Sequence, residues 1–183
     1  MTFRGFISVD VEATAEMKRF TGELENCGAP LNMVEPENIH ITVKFLGDTE
    51  EKQIKDISEI TRSVLKEHEP FEITIKGAGA FPHLNYMKVI WIGVEDCPEL
   101  QRIAHQIEEE LVPMGFSRMD KSFSPHITVA RVKGGKNKEQ LASVIRKYRD
   151  LEFHTQKITK IKLKESILKK SGPEYKTLEE YFL

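Results

Sequence analysis

Hydrophobic positions along this chain switch between two periods, and the switches mark out its elements. Alternation predicts a strand over Phe3–Asp10. Helical spacing of Ala13, Met17 and Phe20 predicts a helix over Val11–Glu25, with Asp10 as its cap and Gly28 and Pro30 as its stop. Leu31–Val34 reads as a short strand, and Pro36-Glu37-Asn38 has turn chemistry. A strand over Ile39–Leu46 follows, ended by Gly47-Asp48. Ile54, Ile57, Ile60, Val64 and Leu65 form one stripe of a helix over Glu51–Glu67. Phe71–Lys76 alternates as a strand, and Gly77-Ala78-Gly79-Ala80-Phe81-Pro82 reads as a bend.

The pattern then restarts. Lys88–Glu95 is a strand rich in Val, Ile and Trp. Leu100, Ile103, Ile107 and Leu111 make the stripe of a helix over Pro98–Val112, with the proline suited to its first turn. A basic loop over Met114–Ser124 leads to a strand from Pro125 to Val132. Gly134-Gly135 turns the chain into a helix over Lys138–Tyr148. Strands over Leu151–Gln156 and Lys160–Leu168, a turn at Ser171-Gly172-Pro173 and a last strand over Tyr175–Leu183 complete the chain. Each half thus reads strand, helix, strand, helix, strand, which is the mark of an internal duplication. The implied fold class is α+β: a bilobal, pseudo-twofold duplicated fold, with two antiparallel-type sheets and outer helices around a central cleft. No Pro/Gly/Ser-rich linker separates the halves, so residues 1–183 are expected to form a single domain of two intimately packed lobes.

The third element of each half carries the same four residues, His40-Ile41-Thr42-Val43 and His126-Ile127-Thr128-Val129. On a strand, side chains alternate between faces, so histidine and threonine share one face and the β-branched aliphatics the other. Each copy is a strand buried on one side and chemically equipped on the other. Pseudo-twofold packing would bring the two equipped faces across one cleft.

Composition narrows what that cleft can do. Hydrophobic residues make up 39% and charged residues 31% of the 183 positions, as in an ordinary globular chain. A net charge of −2 gives no global basic field, so an RNA partner would be recognised locally. Cys27 and Cys97 fit no metal spacing and read as free thiols of a reducing compartment. No apolar run approaches the roughly 20 residues that span a bilayer. The N-terminus lacks a signal-peptide layout. No membrane partner and a cytoplasmic location are expected.

Two facing histidines can sit one neutral and one protonated, which supplies a general base and a general acid on opposite sides of a reacting centre. The threonine hydroxyls can donate to an oxyanion between them. Two imidazoles and two hydroxyls around one tetrahedral, multiply charged group point to phosphate. Arg131 closes the second copy as HITVAR, and guanidinium matches phosphate oxygens in two-pronged fashion. Strict alternation would turn Arg131 away from His126 and Thr128, so its participation requires a bulge or strand end after Ala130; without one, it is a surface or structural charge. No cofactor or metal is required if the leaving oxygen can be protonated. No two-histidine and carboxylate set has zinc spacing, Gly77-Ala78-Gly79 is not a dinucleotide fingerprint, and Gly135-Lys136 lacks the rest of a phosphate loop.

On these motifs the chain resembles the 2H phosphoesterase superfamily, named for its two HxTx motifs. Within it, the chain resembles the RNA 2′,3′-cyclic phosphodiesterases, historically called 2′-5′ RNA ligases. The resemblance covers FRGFISVD, PENIHITVKFLGD, GAGAFP with VIWIGV after it, FSPHITVAR and SGPEYKTL, in order. It implies a bilobal fold with both motifs on the floor of the cleft. It implies hydrolysis of a terminal RNA 2′,3′-cyclic phosphate to a 2′-phosphomonoester, with His40 as proton donor and His126 as proton acceptor. Thr42, Thr128 and Arg131 would steady the phosphoryl oxygens.

Further candidates for holding RNA are Arg4, Phe45, Lys121 and Phe123. Phe45 stands in phase with Ile41 and Val43, which favours core packing over stacking on a base. Lys121 reads foremost as a solvated charge, Arg4 equally as charge or RNA guide, and Phe123 as cleft wall or core. His68, His83, His105 and His154 lack a partner motif and read as surface or structural residues. Expected partners are RNA 3′ ends with a 2′,3′-cyclic phosphate, including tRNA halves, bound by a monomer. Reversible 2′-5′ ligation of RNA halves would use the same residues. A non-catalytic RNA- or nucleotide-binding module, and a phosphodiesterase acting on small cyclic nucleotides, are the competing readings.

Overall fold

The alternating segments pair as antiparallel strands, and the helical stripes cover the side of the sheet opposite the histidines. The computed structural model describes residues 1–170 and 172–183; Ser171, in the turn expected before the last strand, lies outside them. The elements are β1 (Thr2–Asp10), α1 (Ala15–Asn26), β2 (Leu31–Met33), β3 (His40–Glu50), α2 (Ile54–Leu65), β4 (Phe71–His83), β5 (Tyr86–Val94), α3 (Pro98–Leu111), β6 (His126–Val132), α4 (Lys138–Lys147), β7 (Glu152–Ile158), β8 (Lys160–Lys169) and β9 (Gly172–Phe182). The α+β class and the antiparallel pairing are as expected from the sequence.

The strand order is β7-β4-β5-β6-β3-β1-β8-β9, with β2 pairing β6. The two sheets expected for the lobes are thus joined into one nine-stranded sheet, and the joint is the single pair Ile41–Ile127 between β3 and β6. The order is palindromic about that joint. β3 and β6 correspond, as do β1 and β5, and β8 and β4. The halves also exchange strands. β4 follows the first motif in sequence but pairs β5, next to the second; β8 follows the second motif but pairs β1, next to the first. Ile7, Ile41, Ile57, Ile92, Ile103, Ile127 and Leu163 all belong to one buried cluster that spans both halves.

Several boundaries differ from the sequence reading. Helix α1 begins four residues later than expected, because the Thr14 hydroxyl, not Asp10, accepts from the Met17 N–H. Asp10 is engaged with lysines of β8 instead. Pro36–Asn38 forms a 3₁₀ turn. Gly47-Asp48 does not end β3; Gly47 takes φ +71°, open to glycine, and the strand continues to Glu50. Nor is GAGAFP a separate bend. It lies within β4, with register shifts against β5 after Ile75 and after Phe81. Gly79 is required there by close approach: a Cβ would stand 2.3 Å from the Trp91 ring.

Candidate active site

Ile41 and Ile127 are fully buried and directly paired in antiparallel register. Their flanking residues point to the opposite face. His40 therefore stands across from Thr128, and Thr42 across from His126. The four side chains occupy the corners of a rectangle, with the histidines diagonal; in a regular antiparallel pair that diagonal is about 7–8 Å between Cα atoms. The sequence expectation that the two motifs share one face is met by this register.

Both imidazoles are oriented by the same device. The His40 Nδ1–H donates to the Asn38 carbonyl at 2.8 Å, and the His126 Nδ1–H donates to the Ser124 carbonyl at 2.8 Å. A carbonyl only accepts, so Nδ1 carries the proton and Nε2 is the working nitrogen in each ring. The preceding residues make this possible: the 3₁₀ turn ending at Asn38 and the extended Ser124-Pro125 step each aim a carbonyl back at the ring. His40 Nε2 also lies 3.1 Å from the Thr42 hydroxyl.

Aromatic rings back each histidine. Phe6 and Tyr175 pack against His40 with centroids at 5.1 and 5.2 Å; Phe81 packs edge-on against His126 at 5.0 Å, with Trp91 next to Phe81 at 5.4 Å. Burial pushes the His40 imidazole below its ordinary pKa; the Asn38 carbonyl opposes this, Lys164 adds to it, Asp10 opposes it, and His126 adds to it. Asp10 opposes His40 across the β1–β3 pair, and its carboxylate binds Lys162 at 2.7 Å and Lys164. Burial pushes the Asp10 carboxyl up, but the two lysines outweigh it and hold the group below its usual range.

A bulge follows each motif at the same place. The β6 register against β5 runs Thr128–Trp91 and then Ala130–Ile90, leaving Val129 extra. Val129 and Ala130 are consecutively buried, and Arg131 emerges exposed on the histidine face. This is the irregularity that Arg131 needed. In β3 the register runs Thr42–Ser8 and then Lys44–Ile7, leaving Val43 extra. Val43 and Lys44 are both buried, and Phe45 emerges on the histidine face. Its expected core role is therefore overturned: Phe45 is 48% exposed, and the Arg4 guanidinium lies over its ring at 5.1 Å. Phe45 and Arg131 are pseudo-symmetric partners, one aromatic and one cationic.

The remaining sequence-derived residues divide. Burial pushes the Tyr175 hydroxyl up, while Arg131 and Arg4 oppose that shift, which places both guanidinium groups within electrostatic reach of the site. Phe123 is half-buried and packs on the core. Lys121 is exposed on the loop before β6 and makes no ion pair among the described residues. His68 is structural, its Nε2 2.6 Å from Gln106 and its Nδ1 bonded to Glu99. Cys27 and Cys97 are both free. Among the described residues, no three His, Cys, Asp or Glu side chains gather as a metal-ligand set, and no helix is long and apolar enough to cross a membrane.

The sequence pattern assigns no site role to Tyr175, Phe6, Lys162 or Lys164, and it marks Asp10 only as a helix cap. A signal for the lysines was present: Lys160, Lys162 and Lys164 alternate with Ile161 and Leu163, which puts three cations on one strand face. Tyr175 lies in SGPEYKTL, but nothing in that segment's own pattern assigns the ring to a distant histidine.

The chain is similar to known proteins in sequence and in fold. The family model described as the 2′-5′ RNA ligase superfamily matches residues 9–166. A protein of Methanothermobacter thermautotrophicus named RNA 2′,3′-cyclic phosphodiesterase is 37% identical over 185 residues, covering 100% of both chains. Relatives of the same name from Aeropyrum pernix and Archaeoglobus fulgidus are 39% identical (90% of this chain, 93% of the other) and 38% identical (97% and 99%). Among solved structures, a Thermus thermophilus protein aligns with a TM-score of 0.79 at 24% identity, covering 98% of this chain and 97% of the other. E. coli LigT complexed with 3′-AMP aligns with a TM-score of 0.76 at 19% identity over 100% and 99%. These two likenesses concern the fold.

Proposed function

The chain belongs to the 2′-5′ RNA ligase superfamily, and from that premise we propose that it is a phosphoesterase that opens the 2′,3′-cyclic phosphate at RNA 3′ ends to a 2′-phosphomonoester, using His40 and His126 as acid and base. The observation that carries this reading is the diagonal pair of imidazoles about the Ile41–Ile127 joint, each with Nδ1 occupied by a backbone carbonyl and Nε2 turned to the open face.

The cyclic phosphate sits over the rectangle. His126 Nε2 takes a proton from water, and the water oxygen attacks phosphorus in line with the 3′-oxygen. The P–O3′ bond breaks as His40 Nε2 delivers its proton to that oxygen. Thr42 and Thr128 donate to the non-bridging oxygens, and Arg131 offsets their charge. A lowered pKa makes the His40 imidazolium the stronger acid once formed, and the bound phosphate supplies the negative charge that favours forming it. Tyr175, packed against His40, and Phe45 farther along β3 with Arg4 over its ring, are available to hold the terminal nucleoside. With a ribose 5′-hydroxyl in place of water, the same steps join two RNA halves through a 2′-5′ linkage, and tRNA halves are substrates of that kind. Both motifs come from one chain, so a monomer in the cytoplasm suffices.

A short RNA ending in a 2′,3′-cyclic phosphate, followed by ³¹P NMR, tests the assignment. Appearance of a 2′-phosphomonoester is expected. RNA that binds and is returned unopened would instead favour a binding module, and turnover of free cyclic nucleotides with RNA ends left intact would move the substrate to small molecules.

A further inference from the structure

The in-line reaction leaves one side of the centre unexplained. The leaving oxygen and its nucleoside lie toward His40, so the nucleophile arrives from the His126 side, and water needs no built surface there. Yet a cavity of about 710 Å³ opens from His126, bounded by β4 from Lys76 to Phe81 and by the C-terminal end of α4. Its size falls in the range of sites that hold a nucleotide-sized ligand.

Its lining is suited to a nucleic acid strand. Phe81 is 37% exposed and forms a ladder of rings with His126 and Trp91. The Trp91 Nε1–H is buried without an acceptor among the described residues. Farther out, Arg146 and Arg149 line the same cavity, and among the described residues neither makes an ion pair. Lys76, also on the wall, is held by Glu95 at 2.7 Å, and Asp150 is the one carboxylate in the lining. Rings near the reacting centre with two free guanidinium groups beyond them match a base followed by backbone phosphates. Binding this way is local, as the net charge of −2 requires.

We propose that this groove is the acceptor site for the 5′-hydroxyl strand in ligation, with the first base against Phe81 and the phosphates that follow on Arg146 and Arg149. The proposal rests on the two-histidine reading above. In the step it serves, the P–O5′ bond forms as the P–O3′ bond breaks. The proton of the 5′-hydroxyl passes to His126, and His40 gives its own to the 3′-oxygen. The groove thereby sets the balance between joining and hydrolysis, by raising the local concentration of a hydroxyl that competes with water.

Trp91 is the sole tryptophan, so its emission reports occupancy of the groove directly. A short RNA with a 5′-hydroxyl and no cyclic phosphate is titrated into the full-length protein, and ring opening and joining are then measured with a cyclic-phosphate donor. Quenching of Trp91 is expected. Arg146→Ala/Arg149→Ala, a change of two exposed side chains, is expected to weaken the titration and raise the acceptor KM by at least about tenfold, with a shallower salt dependence. Ring opening by water is expected to stay within about twofold of wild type. Equal loss of opening and joining would overturn the proposal by placing the cyclic-phosphate strand itself in the groove. An unchanged acceptor KM would overturn it outright. Absence of ring opening by wild type is a different failure, that of the underlying reaction, and with it the acceptor role falls even where Trp91 is quenched.

Discussion

His40 is set between opposed influences, and its titration is the most direct handle on its role. Burial and Lys164 lower its pKa, while the Asn38 carbonyl and Asp10 raise it. The proposed mechanism makes His40 the proton donor, protonated in the free enzyme, so it predicts that kcat/KM falls as pH rises through a limb below the ordinary histidine value of about 6.5. Removing a positive neighbour raises that pKa: Lys164→Met should move the limb to higher pH. Removing the negative one lowers it: Asp10→Asn should move the limb to lower pH. Steady-state profiles of the three proteins decide the matter, and a limb that neither change moves belongs to another group. The Arg131 side chain is expected to act on phosphoryl charge, so Arg131→Lys, which keeps the charge but loses the fork, should cost less than Arg131→Ala in kcat/KM.

At the scale of elements, the bulges at Val43 and Val129 decide which residues reach the site. They were only half legible. The motif itself announced a two-faced strand, and Arg131 could join it only through a bulge. Phe45 carries no such signal, because an aromatic residue in phase with Ile41 and Val43 fits a core without any irregularity. Nothing local marks the bulge; Lys44 follows Val43 into the interior only because a distant carboxylate receives it. Lys44 Nζ lies 2.7 Å from Glu108 Oε1 and 2.6 Å from the Ser117 carbonyl, and the same Glu108 oxygen accepts the Met119 N–H at 2.7 Å. The cluster ties β3 to α3 and to the loop that delivers His126. Glu108→Ala would leave a buried lysine charge unpaired, with an expected loss of about 3–5 kcal/mol in urea unfolding. Burial pushes the Glu108 carboxyl up, but Lys44 and Met119 outweigh it, so its pKa is lowered on folding. The stability it contributes is therefore present above the unfolded carboxylate pKa and lost as pH falls through the folded value. The variant should lack that part of the acid dependence.

For the whole molecule, duplication was legible from two copies of HITV in parallel surroundings, whereas the exchange of β4 and β8 was not. Periodicity assigns a strand its faces but not its neighbour, and both partners offer similar apolar stripes. The exchange means that neither sequence half can complete its own part of the sheet. Unfolding followed by Trp91 emission, which reports the second motif's surroundings, should coincide with unfolding followed by far-UV circular dichroism; two separated transitions would mean that the lobes fold independently. The same interlocking is what lets one fully buried isoleucine pair hold two histidines on a diagonal. The most direct test of that pair is single-turnover opening of a short RNA 2′,3′-cyclic phosphate in EDTA by wild type, His40→Ala and His126→Ala. Full activity of wild type in chelator, with losses of about 10²–10⁴-fold in each variant, is the expected result. Activity that EDTA abolishes, or that survives removal of either imidazole, would contradict a metal-independent two-histidine centre.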